Sequence, residues 1–329
     1  MPDMTAPLKL GANLWNQHTD WPGFRDAMVR AESLGYDSLW TWDHVYPIVG
    51  DPEGPMLETW TAMAAVAALT TRATIGHLVG ANTFRNPALT AKMITTIDHI
   101  SNGRAVLGIG AAWFEPEHTG FGIEFGSGIP ERLRWLSEAL PIMRGMLDGA
   151  RPAATGPHYT ATAVRNDPPP IQAHLPILIG GSGRKVTLKL VAQYADMDNL
   201  GNPVDAIPDA EAALLEHCRI QGRDEKTVVR TSEIQRVVIR DDAAEAWRIQ
   251  DTILAHNHAA QDEVRPGSGS VNRSRAAVGT VDDVFAHLAP IVESGYHHLI
   301  CGFPAPYDRE SMERLATQVR PRLEALIAR

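Results

Sequence analysis

Short apolar runs recur along the chain, and most are trailed by a stretch of helical periodicity. The runs are LKLGANL (8–14), YDSLWTW (36–42), ATIGHLV (73–79), RAVLGIG (104–110), PILIGG (176–181), DMDNL (196–200), EIQRVVI (233–239) and HHLICGF (297–303). Helices are expected over 22–33 with Asp20 as N-cap, then over 59–69, 86–100, 130–147, 185–194 and 204–221, and from 242 and 309 onward. The runs are apolar throughout and do not alternate strictly, which marks parallel strands covered on both faces. Eight βα units in one chain predict a single-domain α/β fold, a (β/α)8 TIM barrel with loop insertions. A doubly wound open sheet is the alternative.

Three stretches interrupt the repeat. Residues 115–129 are Gly-rich and follow the fourth strand; 150–173 are rich in Pro and Thr; 264–280 carry RPGSGSVNRSR, the composition of a mobile loop. The first and third follow strands four and seven, which places them at the C-terminal face where barrel enzymes keep their sites. Simple topology puts the middle one at the other end.

Charge and composition narrow the classes. A formal net charge of −9, with no long Lys/Arg block, argues against a nucleic-acid surface. The first residues lack a basic segment followed by an apolar core, and no window approaches a membrane-spanning length, so no membrane partner is expected. Two cysteines, Cys218 and Cys301, are too few for a disulfide framework and fit a cytoplasmic protein.

The strand ends hold the candidate chemistry. In IGGSGRK, Gly180, Gly181, Ser182 and Gly183 can turn backbone N–H groups toward an anion at the start of a helix, with Arg184 and Lys185 adding charge. A plain turn is the competing reading. Asp43 and His44 end the second strand, where an imidazole can trade a proton; as strand neighbours the two point to opposite faces, and the competing reading is a turn-capping Asp43 with a partly exposed His44. Gly80 and Asn82 end the third, and Gly80 suits a bulge or the close approach of a flat ligand. After the fourth, Ala111 and Ala112 leave room, and Trp113 can pack on a ring. Trp15, Trp42, Trp113 and Phe114 give the expected mouth an aromatic, apolar character suited to a neutral organic molecule. The histidines at 256, 258, 297 and 298 lack carboxylate or Cys partners at ligand spacing, so no metal site is expected.

Taken together, ESLGYDSLWTWDH, FRNPALTAKMITTIDHISNGRAVLGIGAAWFEPEHTGFGI, ERLRWLSEALPIMR and PPPIQAHLPILIGGSGRKVTLKLVAQYADMDN resemble, in order, the bacterial luciferase-like family of flavin and deazaflavin oxidoreductases. The resemblance covers residues 8–200 well, and the final third only as a general pattern anchored by SGYHHLI. It implies a tricyclic ring at the C-terminal mouth of a barrel. Gly181, Ser182, Gly183 and Arg184 would then grip the cofactor phosphate. Leu78, Val79 and Gly80 would form the bulge backing the ring, where relatives often have a non-prolyl cis peptide. Asp43 and His44 would lie beside ring and substrate.

The pieces are most similar to the branch using the deazaflavin coenzyme F420, with FMN as the alternative cofactor. The branch's sugar-phosphate dehydrogenases carry a glutamate just after the fourth strand's glycines, and the corresponding position here is read as Trp113, which leaves His44 as the acid/base candidate. The expected activity is hydride transfer between F420 and an organic substrate. Reduced-FMN monooxygenation with a separate reductase is the runner-up, and a non-catalytic flavin carrier stands behind both. Family members often form homodimers, so a homodimer is also expected.

Overall fold

The computed structural model describes residues 2–201, 204–260 and 273–328. Eight strands close a parallel barrel: β1 (Lys9–Leu14), β2 (Ser38–Thr41), β3 (Thr74–His77), β4 (Ala105–Gly110), β5 (Ile177–Gly180), β6 (Met197–Gly201), β7 (Val229–Ile234) and β8 (His298–Phe303). The order runs β3-β2-β1-β8-β7-β6-β5-β4, and β3 pairs with β4 to complete the ring. Adjacent strands in sequence are adjacent in space, and β8 returns to β1 with Lys9 opposite His298 and Leu14 opposite Phe303. This is the TIM-barrel architecture that the strand pattern predicts.

The helices form where capping and periodicity place them. Helix α1 (Trp21–Ser33) starts at Asp20, whose side chain accepts the Gly23 N–H, and it buries Phe24, Ala27, Met28 and Ala31 at the i, i+3, i+4, i+7 spacing of one face. Each of its larger buried side chains contributes about 2 kcal/mol by leaving water. Next come α2 (Thr59–Leu69), capped by Glu58, and α3 (Pro87–Ser101), capped by Asn86 with its proline in the first turn. They are followed by α4 (Glu115–Phe121), α5 (Ile129–Leu147), α6 (Thr187–Tyr194), α7 (Ile207–Gln221), α8 (Ala243–His256) and α9 (Val281–Glu293). Arg309–Arg314 and Arg320–Ile327 close the chain around a π-helical turn. Among the described residues no helix is long and apolar enough to cross a membrane.

Inside the barrel Trp40, Leu78, Val106, Leu178, Met197 and Ile300 pack into a plug below the C-terminal mouth. Gly76 makes it possible: a Cβ there would lie 2.3 Å from the Trp40 ring. The indole N–H of Trp40 donates to the Ser38 hydroxyl, which also meets His298 Nε2 at 2.7 Å, so a polar contact closes the lower barrel, with His298 Nδ1 left unpaired.

The structure departs from the sequence expectations in four places. The seventh strand lies earlier than EIQRVVI, at 229–234; Arg236–Ile239 leaves the barrel and pairs in parallel with Ala276–Gly279. Both segments are apolar, and periodicity alone cannot tell which of two consecutive runs enters the ring. Residues 276–279, expected as loop, are that partner strand, preceded by a 3-10 turn at Arg273–Arg275 and followed by α9; residues 264–272 of the expected loop lie outside the described residues. The Gly-rich stretch after β4 contains α4. The 150–173 segment forms a small hairpin, Ala154–Thr155 with Thr160–Ala161, and runs alongside α3 and α5 toward the C-terminal mouth. There the Tyr159 hydroxyl donates to the Asn82 carbonyl at 3.0 Å.

Candidate active site

A cavity of about 530 Å³ opens at the C-terminal ends of the barrel strands. One wall is made of small residues and backbone: Leu78, Val79, Gly80 and Ala81 after β3, Gly110, Ala111 and Ala112 after β4, and Gly180 to Gly183 after β5. The facing wall is bulky, with Trp15, Trp42, Ile48 and Val49. Trp15 and Trp42 pack at 4.4 Å between ring centroids. A cavity of this volume, lined by small residues on one side and aromatic side chains on the other, can take a planar ring system.

The small wall is built by a break in β3. The strand stops at His77 and resumes as a two-residue bridge, Gly80–Ala81, beside β4; the Leu78–Val79 peptide between them is cis. Val79 then lies against two glycines, since a Cβ on Gly110 or Gly180 would come within 2.8 or 2.9 Å of its methyl groups. Those glycines at the ends of β4 and β5 are therefore needed for the close approach of the bulge.

His44 and Asp43 diverge as strand neighbours should. His44 Nδ1 lies 2.8 Å from Oε1 of Glu117, and the other oxygen of that buried carboxylate accepts the Val45 N–H at 2.9 Å. His44 Nε2 is left without a hydrogen-bond partner among the described residues, at a position lining the cavity. Trp113 and Phe114 approach the imidazole edge-on at 5.6 and 5.9 Å.

The Asp43 carboxylate faces the other way and is fully engaged. It accepts two N–H groups of Arg85 at 2.7 and 3.2 Å, the Trp60 indole N–H at 3.1 Å and the Ala81 N–H at 2.9 Å. Burial raises its pKa, but the charge and hydrogen bonds of Arg85, the nearby His77 and the Trp60 N–H outweigh burial and hold it below the ordinary value. Its bond to Ala81 pins the chain just beyond the bulge.

Of the residues expected at the site, Trp15, Trp42, Asp43, His44, Leu78, Val79, Gly80, Ala112, Trp113, Gly180, Gly181, Ser182 and Gly183 line the cavity. Three do not. Asn82 is buried under the rim, bonded to Tyr159 through both its backbone and its side chain. Phe114 sits behind His44 in the cluster with Trp15 and Trp42. Arg184 points outward to Asp209 at 2.8 Å, because a following helix carries an acid within its reach. In the loop before it Gly181 has φ +116°, which a plain turn also requires, and its N–H is donated to the Asn199 carbonyl at 3.1 Å; α6 begins with no side-chain cap on its N–H groups.

Sequence reasoning missed Glu117, Arg85 and Glu233. Glu117 had a signal, since Glu115 and Glu117 open the helix after β4. Glu233 is the penultimate residue of β7 and lines the cavity, and Asn13 donates to it at 3.0 Å. Burial pushes its carboxyl upward, opposed by hydrogen bonding from Trp42 and Asn13 and by the charge of Arg275.

Residues 5–298 match the family model of the luciferase-like monooxygenases. The chain belongs to that family. Among its relatives, the F420-dependent glucose-6-phosphate dehydrogenase of Amycolatopsis mediterranei is 27% identical over 315 residues, covering 91% of this chain and 93% of that one. The pyrimidine monooxygenase RutA of Acinetobacter baylyi is 32% identical over 234 residues, 67% of this chain and 63% of that one. Several curated relatives are thus matched over less than two thirds of their own length. An F420-dependent secondary alcohol dehydrogenase, solved with an F420–acetone adduct, superposes with a TM-score of 0.77 at 19% identity, over 94% of this chain and 98% of that one. That likeness shows the shared barrel fold. The family holds both F420-dependent enzymes and flavin monooxygenases.

Proposed function

We propose that this luciferase-like protein is an oxidoreductase that binds the deazaflavin F420 along its small-residue wall and moves a hydride between it and an organic substrate. The observation that carries the reading is the His44–Glu117 pair: a carboxylate-held imidazole opening, through its free nitrogen, onto a glycine-lined slot. The slot fits such a ring, because a side chain at Gly110 or Gly180 would displace Val79 and the bulge with it. When bound, the ring supplies the two-electron chemistry.

The chain's own residues do the rest. Ser182, Gly183 and Thr187 at the start of α6 can present N–H groups to an anionic tail, whereas the Gly181 N–H is already donated to the Asn199 carbonyl. Asp43 holds the Ala81 end of the bulge and serves as a positioning residue, since each of its oxygens already accepts a strong donor. Glu117 fixes His44 with Nδ1 as donor, which leaves Nε2 to take or give the proton that accompanies hydride transfer. Trp15, Trp42 and Trp113 exclude water around that exchange.

Support for F420 over FMN comes from the Amycolatopsis relative, matched along nearly the whole of both chains. Fluorescence titration of cofactor-free protein with oxidised F420, and separately with FMN, tests the reading. Micromolar F420 binding with weak FMN binding is the expected result. The reverse preference would make the protein an oxygen-using monooxygenase.

A further inference from the structure

The wall opposite the proposed ring carries a polar group that this function does not use. Two acidic residues line the cavity among the described residues, Asp43 and Glu233. Asp43 is saturated by Arg85, Trp60 and Ala81. Glu233 is not. It stands in register with Ile300, a member of the barrel's inner plug, so its side chain follows the inward face of β7 and meets Asn13 and Trp42.

We infer that Glu233 is a specificity-determining residue that anchors a neutral hydroxyl on an otherwise apolar substrate. The inference rests on the reading that the β3–β5 wall holds the cofactor ring, which leaves the β1–β7 side to the substrate. A carboxylate offers about four lone-pair directions, and Asn13 and Trp42 take two of them. A substrate that displaced water from the cavity without supplying a partner would strand the rest in a desolvated site.

Hydroxyl chemistry fits better than the alternatives. A hydroxyl both donates and accepts, so it pairs with the carboxyl in either protonation state. An ammonium only donates, and the neighbouring positive charge of Arg275 opposes it. A carboxylate only accepts and is repelled by Glu233 when ionised. The rival reading is that Arg275 and Arg236, which line the same end, select an anion.

Four probes of one shape separate these cases: benzyl alcohol, toluene, benzylamine and benzoate. Their binding is followed by tryptophan fluorescence, since Trp15 and Trp42 line the site. Measurements use wild type, Glu233→Leu and the more flexible Glu233→Met, with and without F420. Wild type is expected to bind benzyl alcohol at least ~10-fold tighter than toluene, and more tightly than either charged probe. In the folded variant, or in both, the alcohol and toluene should bind within about threefold of each other, with F420 affinity unchanged.

Benzoate or benzylamine binding best to wild type would overturn the inference. So would an alcohol preference that survives loss of the carboxyl. A wild type that binds no F420 would count against the proposed function alone, because the probe ranking is also read on cofactor-free protein.

Discussion

His44 Nδ1 stands 2.8 Å from Oε1 of Glu117, whose other oxygen holds the Val45 N–H at 2.9 Å. One buried carboxylate from α4 thus fixes both the ring and the main chain at the end of β2. The insertion after β4 is thereby part of the active-site wall.

Glu117→Gln keeps the volume but places an amide against the imidazole. If the amide N–H₂ faces Nδ1, that nitrogen must accept, and the proton moves to Nε2, the wrong tautomer for a base. Turnover should fall by roughly 10–100-fold, with KM and F420 affinity unchanged. His44→Ala should cost ~10²–10⁴, and the double variant should be no worse than His44→Ala alone. Additive losses in steady-state kinetics would show that the two residues do not act as a unit.

The phosphate-side reading separates the loop from the arginine beside it. Arg184→Ala removes an exposed ion pair with Asp209, so F420 affinity should change by less than about threefold. Gly181→Val forces a β-branched residue to φ +116°, where the strain is of order 1–3 kcal/mol. Its dissociation constant should rise about 10–100-fold if the loop yields instead of holding its shape. Equal losses in the two variants, measured by titration, would return Arg184 to the phosphate site.

Arg85→Met tests the anchor beneath the bulge. The Asp43 carboxyl is 1% exposed and its Arg85 partner 14%, so removing the cation leaves a buried charge, at a cost of about 3–5 kcal/mol in denaturant unfolding. Asp43 has a folded pKa below its ordinary 3.8, so its contribution is complete above that value and is lost as the pH falls below it. The variant should lose that acid-side dependence. Asp43→Asn in the Arg85→Met background should recover part of the loss, because the stranded charge is gone.

Much of this was legible in the chain itself. Strand count, barrel closure and the capped start of α1 follow from apolar runs and from Asp20, because these are local signals; the caps Glu58 and Asn86 emerge only in the fold. The slot was legible through its glycines, since a close approach permits little else. Partners distant in sequence were not. The Arg184–Asp209 pair, the Asp43–Arg85 pair and the His44–Glu117 pair each join elements whose facing surfaces exist only after the barrel closes. Glu233 was misplaced for another reason: the strand reading began at 233, whereas β7 ends at Ile234, so a mouth residue was taken for a strand start.

His77 precedes the bulge and carries the last prediction. Its ring stacks on Trp60 at 4.0 Å between centroids, and neither ring nitrogen has a hydrogen-bond partner. Burial is the main cause that drives its pKa down to about 4; Asp43 and Glu58 pull it up, and Arg85 pushes it further down. Unfolded, the imidazole titrates near 6.5. Between those values the unfolded chain binds more protons than the folded one, so stability rises with pH and is lost as the pH falls from about 6.5 toward 4. At pH 5 the loss from this one group is about 2 kcal/mol. His298, lowered to about 3 by burial and by Lys9, adds a loss of the same sign. His77→Phe keeps an aromatic face for Trp60 and removes the proton site. Urea unfolding at pH 7.5 and pH 5 should therefore show the variant losing about 2 kcal/mol less than wild type across that interval. Parallel pH curves for the two proteins would mean that His77 is protonated within the fold, and that the Asp43 anchor is shared between Arg85 and a charged imidazole.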